Sequence, residues 1–194
     1  MTSRRTVLML GVLLVGASCA GPREDPTEPR IAPHLAFRLP SPASLGYSVS
    51  AHQLITGHFG AETYVFETEI AVSPEAIDLV GLDAFGRRAL TLHWTHGALD
   101  ATSAEWLPPT IRPANILADI ALTYWPAPVV TAALAGSGAE LVSDGARRAV
   151  RRHGDEIIAI DYDGAGAPRW NGSIRYRNLG FGYDLEIQSR ASDE

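Results

Sequence analysis

Apolar and polar residues alternate with a period of two along most of the chain after Tyr47. This pattern is typical of antiparallel strands that bury one face and leave the other in water. The predicted strands are 47–55, 64–72, 76–82, 87–95, 98–105, 140–143, 146–153, 156–162, 173–178 and 183–189. Residues 57–60 and several later segments rich in Gly and Asp are the predicted hairpin turns.

A helical period interrupts the strands at residues 112–125. Pro113 suits a first helical turn, and Pro126 cannot continue a helix. One half of this helix is apolar, with Ile116, Leu117, Ile120, Ala121, Tyr124 and Trp125, and the other half carries Asn115, Asp119 and Thr123. Asp119 is most simply solvent-exposed; alternatively its carboxylate orients a neighbouring strand or loop. A second, shorter apolar segment covers 129–134.

Five strands, a helical region and five more strands predict an α+β domain. Ten twisted antiparallel strands tend to curl, so we expect a curled antiparallel sheet, an incomplete β-barrel, with the central helix packed on its concave face. That face either forms a filled core or holds an apolar ligand. The residues predicted to contact such a ligand are Tyr64, Phe66, Leu90, Trp94, Ile116, Ile120, Tyr124 and Trp125.

The first 18 residues are a predicted signal peptide, with Arg4 and Arg5 ahead of an apolar run that is too short to span a membrane. The run ends in small residues followed by Cys19, the single cysteine of the chain. This ending resembles a bacterial lipobox, which implies that Cys19 is lipidated and anchors the protein to a membrane. Ala20 stands where retained lipoproteins carry an aspartate, so the resemblance favours the periplasmic face of the outer membrane.

Six prolines lie between residues 21 and 42, which indicates an extended tether. We therefore divide the chain into a signal peptide (1–18), a lipidated cysteine with its tether (19–45), one domain (46–190) and a short tail (191–194). Leu35, Phe37 and Leu39 alternate, so the end of the tether is expected to dock on the sheet.

Composition and motifs exclude several classes of function. Of the 194 residues, 46% are hydrophobic, and the net charge of −6 argues against nucleic-acid binding. No catalytic motif, cofactor or metal site is predicted: His93 and His96 point to opposite faces of a strand, and 161–164 fits a hairpin turn better than a calcium loop. The arginines at 147, 148, 151 and 152 indicate a solvated edge strand or, alternatively, a contact with lipid phosphates.

The segments Leu107–Pro109, Pro113–Asp119 and Leu122–Pro126 resemble the hallmark of a bacterial lipoprotein family of unassigned function that is encoded in aryl polyene biosynthesis clusters. Ala121 stands where that pattern usually has glutamine. The family is similar in architecture to the LolA/LolB lipoprotein carriers, which hold acyl chains in a half-barrel. The resemblance implies a non-enzymatic lipoprotein that binds an acyl or polyenyl chain and assists transport or assembly of an aryl-polyene-type lipid, together with a protein partner of lipid export. The alternatives are a scaffold lipoprotein that recruits a biosynthetic or export partner, and an acyl-handling enzyme.

Overall fold

The computed structural model describes residues 28–108, 111–163 and 170–192. The predicted signal peptide, Cys19, the start of the tether and the end of the turn at 161–164 lie outside the described residues. Among those described, the strands are β1 (Arg30–Ala32), β2 (Leu35–Ala36), β3 (Val49–Phe59), β4 (Glu62–Val72), β5 (Ala76–Asp83), β6 (Arg88–Thr95), β7 (Ala98–Ser103), β8 (Ala139–Ser143), β9 (Arg147–Arg152), β10 (Asp155–Tyr162), β11 (Gly172–Asn178) and β12 (Tyr183–Ala191). The helices are α1 (Pro113–Tyr124) and α2 (Ala127–Ala133), with a 3-10 turn at Pro42–Leu45.

Ten strands form a single antiparallel sheet in the order β7-β6-β5-β4-β3-β12-β11-β10-β9-β8, with β7 and β8 at its two edges. The two helices belong to the connection between these edge strands, so the chain crosses one face of the open sheet before it resumes at β8. The predicted α+β class and antiparallel sheet are confirmed. The small strands β1 and β2 form a separate antiparallel pair, which the sequence pattern did not predict.

The first hairpin turns later than predicted. Gly57 is still in the ladder, opposite Tyr64, and Phe59 pairs with Glu62. The turn therefore falls at Gly60, which adopts the left-handed conformation (φ 64°) that favours glycine. The prediction of a turn at 57–60 was wrong because a glycine inside a strand can mark close packing as readily as a turn.

Helix α1 has the predicted bounds to within one residue at each end. Proline stands at its first position, and Trp125 follows it in an extended conformation just before Pro126. Its polar half does not face water: Asn115 is 9% exposed and Thr123 only 2%. This side of α1 is interior because it faces the concave sheet, and the N-terminal segment covers the helix as well.

The N-terminal segment forms this second cover. Ile31, Leu35 and Phe37 are buried in the common core, and the backbone N–H of Arg30 donates to Asn115 Oδ1 on α1 at 3.0 Å. Farther along, the indole N–H of Trp125 donates to Ser44 Oγ at 3.0 Å. The described part of the predicted tether, 28–45, is therefore packed on the domain rather than extended from it. Docking was expected only for the end of the tether, and it includes this whole stretch.

The arginine cluster is not on an edge strand, because β8 lies outside β9. Arg148 is only 3% exposed, and its guanidinium donates to the carbonyls of Leu122 (2.9 Å) and Trp125 (2.7 Å). These carbonyls lie at the C-terminal end of α1, where unpaired acceptors and the helix dipole favour a cation. Arg147 forms ion pairs with Glu156 and Asp161. The edge-strand interpretation was wrong since alternation along β9 sends Arg148 to the inner face.

Replacing Arg148 with alanine should lower the free energy of unfolding by at least about 2 kcal/mol, because buried carbonyls at the end of α1 would lose a charged donor. Urea denaturation measures this loss. Arg151→Ala on the same strand, where the side chain is half-buried, is the control and should change stability by about 0.5 kcal/mol or less. Equal effects of the two substitutions would contradict the capping role.

Candidate functional site: an apolar cavity beneath the helix

A cavity of about 580 Å³ lies between α1 and the concave face of the sheet. Its size falls within the range of about 300–1,000 Å³ that is usual for small-molecule sites. The sheet contributes Gln53, Ile55, Gly57, Phe59, Phe66, Thr68, Leu79, Gly81, Leu90, Tyr176, Tyr183, Leu185 and Ile187, and α1 contributes Asn115, Ile116, Asp119, Ile120, Thr123 and Tyr124. The concave face is therefore not a filled core.

Two glycines on the concave face have different roles: Gly81 leaves space open, and Gly57 makes room for the ring of Phe59. A Cβ at Gly81 would meet Leu90 at 3.5 Å and Thr68 at 3.8 Å, which are ordinary contacts. A Cβ at Gly57 would lie 2.7 Å from the ring of Phe59 and 3.3 Å from Leu185, so this position tolerates little more than hydrogen. Glycine in the middle of a strand destabilises it, and its use here is consistent with a sheet that curls around a void.

The cavity opens at one end of the sheet. Its lining at that end comes from Phe59 and Gly60 at the β3–β4 turn, and from Phe181 and Gly182 at the β11–β12 turn. Gly60, Phe181 and Gly182 are exposed, whereas Gln53 at the opposite end is buried. We call the end formed by these two turns the mouth.

The inner end of the cavity is closed by hydrogen-bonded and stacked side chains. The amide of Gln53 donates to the hydroxyl of Tyr124 at 2.8 Å. The ring of Tyr124 stacks on Trp170 with a centroid separation of 3.7 Å and an angle of 6°. Burial raises the pKa of Tyr124, so its hydroxyl stays protonated and can serve this network.

Of the eight residues predicted to contact a ligand, Phe66, Leu90, Ile116, Ile120 and Tyr124 line the cavity. Tyr64 lies near the mouth, half-buried, with its ring 6.0 Å from Phe59. Trp94 is buried opposite Ile77, farther along β6, and Trp125 is buried under the 3-10 turn. The structure thus brings five of these residues together around one space and places the other three outside its lining.

Asp119 lies on the cavity wall, bonded to two tyrosines. The hydroxyl of Tyr176 donates to its Oδ1, and the hydroxyl of Tyr183 donates to its Oδ2. The expectation of a solvent-exposed Asp119 was wrong, and the alternative, that its carboxylate orients neighbouring strands, describes the contacts with β11 and β12. The cause is the orientation of α1, because the side that carries Asp119 faces β11 and β12 of the concave sheet.

Burial governs the protonation of this cluster. Desolvation raises the pKa of Asp119 to about 7, and the two tyrosine hydrogen bonds oppose that rise. Burial also raises the pKa of both Tyr176 and Tyr183 well above the ordinary value, and the Asp119 charge adds to this. The cavity therefore has a polar patch on an otherwise apolar wall.

Sequence reasoning did not select Gln53, Thr68, Tyr176 or Tyr183 as site residues. A usable signal existed for the first two, because polar residues occupy inward positions of otherwise regular β3 and β4 patterns. Alternation along 173–178 and 183–189 predicts inward faces for Tyr176 and Tyr183, but nothing in the pattern shows that both reach Asp119.

His93 pairs with an aspartate on the neighbouring strand. His93 Nδ1 lies 2.6 Å from Asp78 Oδ1 across β5 and β6 on the exposed face, which confirms a cross-strand histidine. The described residues contain no cluster of three or more metal-ligating side chains. Within the same residues, no helix is long and apolar enough to cross a membrane.

The domain is thus of the α+β class: an open antiparallel sheet with a helix across its concave face and an apolar cavity between them. The chain belongs to the family described as "Protein of unknown function (DUF3261)", whose model matches residues 50–191. No curated protein matches the chain.

Two solved structures are distantly similar. One is a putative outer membrane lipoprotein-sorting protein domain from Vibrio parahaemolyticus, with 8% identity, a TM-score of 0.39, and coverage of 75% of this chain and 86% of that one. The other is a DUF1329 family protein from Desulfovibrio piger, with 7% identity, a TM-score of 0.37, and coverage of 74% and 84%.

The raised pKa of Asp119 predicts a pH-dependent stability. Its carboxyl titrates near the ordinary value of 3.8 when unfolded and at about 7 when folded, so the folded state binds more protons between these values. The contribution of Asp119 to the free energy of unfolding should then fall as pH rises from about 4 to about 7, by up to about 1.4 kcal/mol per pH unit.

Urea denaturation across this pH interval, compared between the wild type and Asp119→Asn, isolates the contribution. In Asp119→Asn, the free energy of unfolding should not show this decrease with rising pH. Glu75→Gln, at an exposed carboxylate in the β4–β5 turn, is the control and should retain it. Identical slopes in wild type and Asp119→Asn would show that Asp119 does not titrate in this range.

Proposed function

We propose that this protein is a lipid-binding carrier, held at the periplasmic face of the outer membrane by a lipid on Cys19. The observation that carries the proposal is the apolar cavity of about 580 Å³, open at one end. An empty apolar cavity destabilises a fold, whereas a hydrocarbon that fills it gains about 0.8 kcal/mol for each buried CH₂ group. A carrier benefits from such a cavity, and a purely structural domain does not.

The proposed ligand is an acyl or polyenyl chain with a polar group. Ile55, Phe66 and Leu79 supply aliphatic and aromatic wall, while Asp119 and Thr123 supply a polar patch. Such a wall suits a long apolar chain that carries a hydroxyl, phenol or similar group. The finer proposal is that the chain belongs to an aryl-polyene-type lipid and that the protein assists its transport or assembly, with a protein of lipid export as partner.

The two alternatives have less support. A scaffold would be expected to fill its concave face with side chains, whereas Gly81 leaves room for one beside Leu90 and Thr68. For an acyl-handling enzyme, the cavity lining that the structure describes includes no histidine, cysteine or serine, and its one carboxylate is bonded to two tyrosines.

Filling the cavity tests the proposal without touching the polar groups. Gly81→Leu should place an isobutyl group in the space beside Leu90 and Thr68. If the new side chain takes the place of about two CH₂ groups of a bound lipid, the free energy of binding should weaken by about 1.6 kcal/mol, which is more than tenfold in affinity. The measurement is titration with a fluorescent fatty acid, together with mass spectrometry of the lipid that co-purifies with the protein.

Gly81→Ala is the matched control, because its Cβ makes ordinary contacts and leaves the cavity open. It should bind as the wild type does. If neither the wild type nor Gly81→Ala binds any apolar probe, and no lipid co-purifies, the carrier proposal is wrong and the scaffold is favoured.

The proposed anchor has a separate test. Cys19→Ser removes the thiol that would receive the lipid, so the protein should leave the outer-membrane fraction or remain unprocessed. Fractionation of cells and mass spectrometry of the mature N-terminus measure this. An unchanged distribution, with no acyl group found on the wild-type protein, would contradict anchoring through Cys19.

A further inference from the structure

Exposed apolar side chains concentrate around the mouth of the cavity. Nine large apolar residues of the described chain are exposed, and four of them form what we call the mouth rim: Phe85 (85% exposed), Leu179 (54%), Trp106 (40%) and Phe181 (37%). Phe85 is the most exposed of the nine. Single exposed apolar residues need no explanation, but four at one functional opening indicate a contact surface.

The strand directions place three of these residues, Phe85, Leu179 and Phe181, at the same end of the sheet. β3 and β5 run the same way because each is antiparallel to β4, so the β5–β6 turn with Phe85 lies at the mouth end. Tyr183 pairs with Phe59, which puts the β11–β12 turn, with Leu179 and Phe181, beside the tip of β3.

Trp106 belongs to the same surface. The guanidinium of Arg87 lies 5.6 Å from the ring centroid of Phe85 and 5.0 Å from that of Trp106, so it joins the two rings. A long basic side chain over aromatic rings can keep its charge in water while the rings enter an apolar layer.

The chain also leaves the described domain at the mouth end. Arg30 is bonded to Asn115 in the first turn of α1, and Arg112, at the start of α1, lines the cavity and donates to the carbonyl of Glu28. Eight residues, 20–27, separate Glu28 from Cys19, and a fully extended stretch of this length spans at most about 30 Å. The eleven residues of β3 alone span about 35 Å. A membrane anchor at Cys19 can therefore lie at the mouth, whereas the far end of the sheet is beyond the span of this stretch.

We propose that the mouth rim docks on the lipid bilayer, so that the cavity opens directly onto the membrane that anchors the protein. Aromatic side chains favour the interface between headgroups and hydrocarbon, and the rim carries three of them. A chain entering from the bilayer then moves from one apolar environment to another without crossing water. This inference rests on the proposed function for the anchor and the ligand.

Trp106 provides a probe for the test. It is exposed, whereas Trp94, Trp125 and Trp170 are buried, so the fluorescence difference between wild type and Trp106→Phe reports the rim. The full chain is reconstituted in vesicles of phosphatidylethanolamine and phosphatidylglycerol, with or without lipids brominated on the acyl chain. We expect brominated lipid to quench most of the Trp106 signal, and Phe85→Ser with Phe181→Ser to remove that quenching. Leu54→Ser, on an exposed apolar residue of β3 outside the rim, should leave it unchanged.

Three results would overturn the docking. The first is absence of Trp106 quenching. The second is equal loss of quenching in the Leu54→Ser control. The third concerns quenching of Trp106 by aqueous iodide without vesicles. If this quenching weakens as the protein concentration rises, the rim is covered by a second copy of the chain and not by a bilayer. Fatty-acid binding by the same protein in detergent is measured in parallel. Binding without rim quenching refutes only the docking, whereas absence of binding refutes the carrier function itself.

Discussion

The burial of α1 between the concave sheet and the N-terminal segment is the constraint on which the rest of the structure depends. Leu117, Ala118 and Leu122 are fully buried on one side of the helix, and Ile116 and Ile120 border the cavity on the other. A helix covered on both sides cannot swing away without exposing two apolar surfaces and the carbonyls bonded to Arg148. We therefore regard α1 as a fixed roof of the cavity and the mouth as the route for a ligand.

Much of the sheet could be predicted from the sequence because half-buried antiparallel strands follow a simple rule. Tyr64, Phe66 and Ile70 alternate with polar residues since one face of β4 meets the interior and the other meets water. The position of a turn follows no such rule: Gly57 and Gly60 look alike in the sequence, yet one packs under Phe59 and the other takes the left-handed turn.

The polar side of α1 shows where periodicity stops being informative. A helical pattern separates apolar from polar positions, but it does not report what will cover the polar ones. Asn115 and Asp119 look like solvent positions until Arg30, Tyr176 and Tyr183 supply partners from distant segments. Arg148 follows the same logic, since its partners are backbone carbonyls and leave no trace in the sequence.

The candidate site was predictable in its chemistry and less so in its extent. Ile116, Ile120 and Tyr124 lie one turn apart, so a shared surface on the cavity follows from the helix alone. Trp94 and Trp125 have equally apolar side chains, yet they fall beyond the lining, because the depth of a cavity depends on which opposing positions lack bulk. Gly81 provides such space, and only the register of the strands shows that it faces α1.

A helix that spans a cavity has fewer apolar contacts to hold its position, and polar contacts compensate for this. Where side chains would normally interlock, α1 borders open space, so packing alone would allow it to shift along its axis. Asp119 ties the middle of the helix to β11 and β12, and Arg148 ties its last turn to β9. Buried polar groups of this kind add little net stability, but they disfavour alternative positions in which a charge would lose its partners. The polar patch in the wall is therefore a structural requirement of a helix that borders a cavity, and a ligand would find it already oriented.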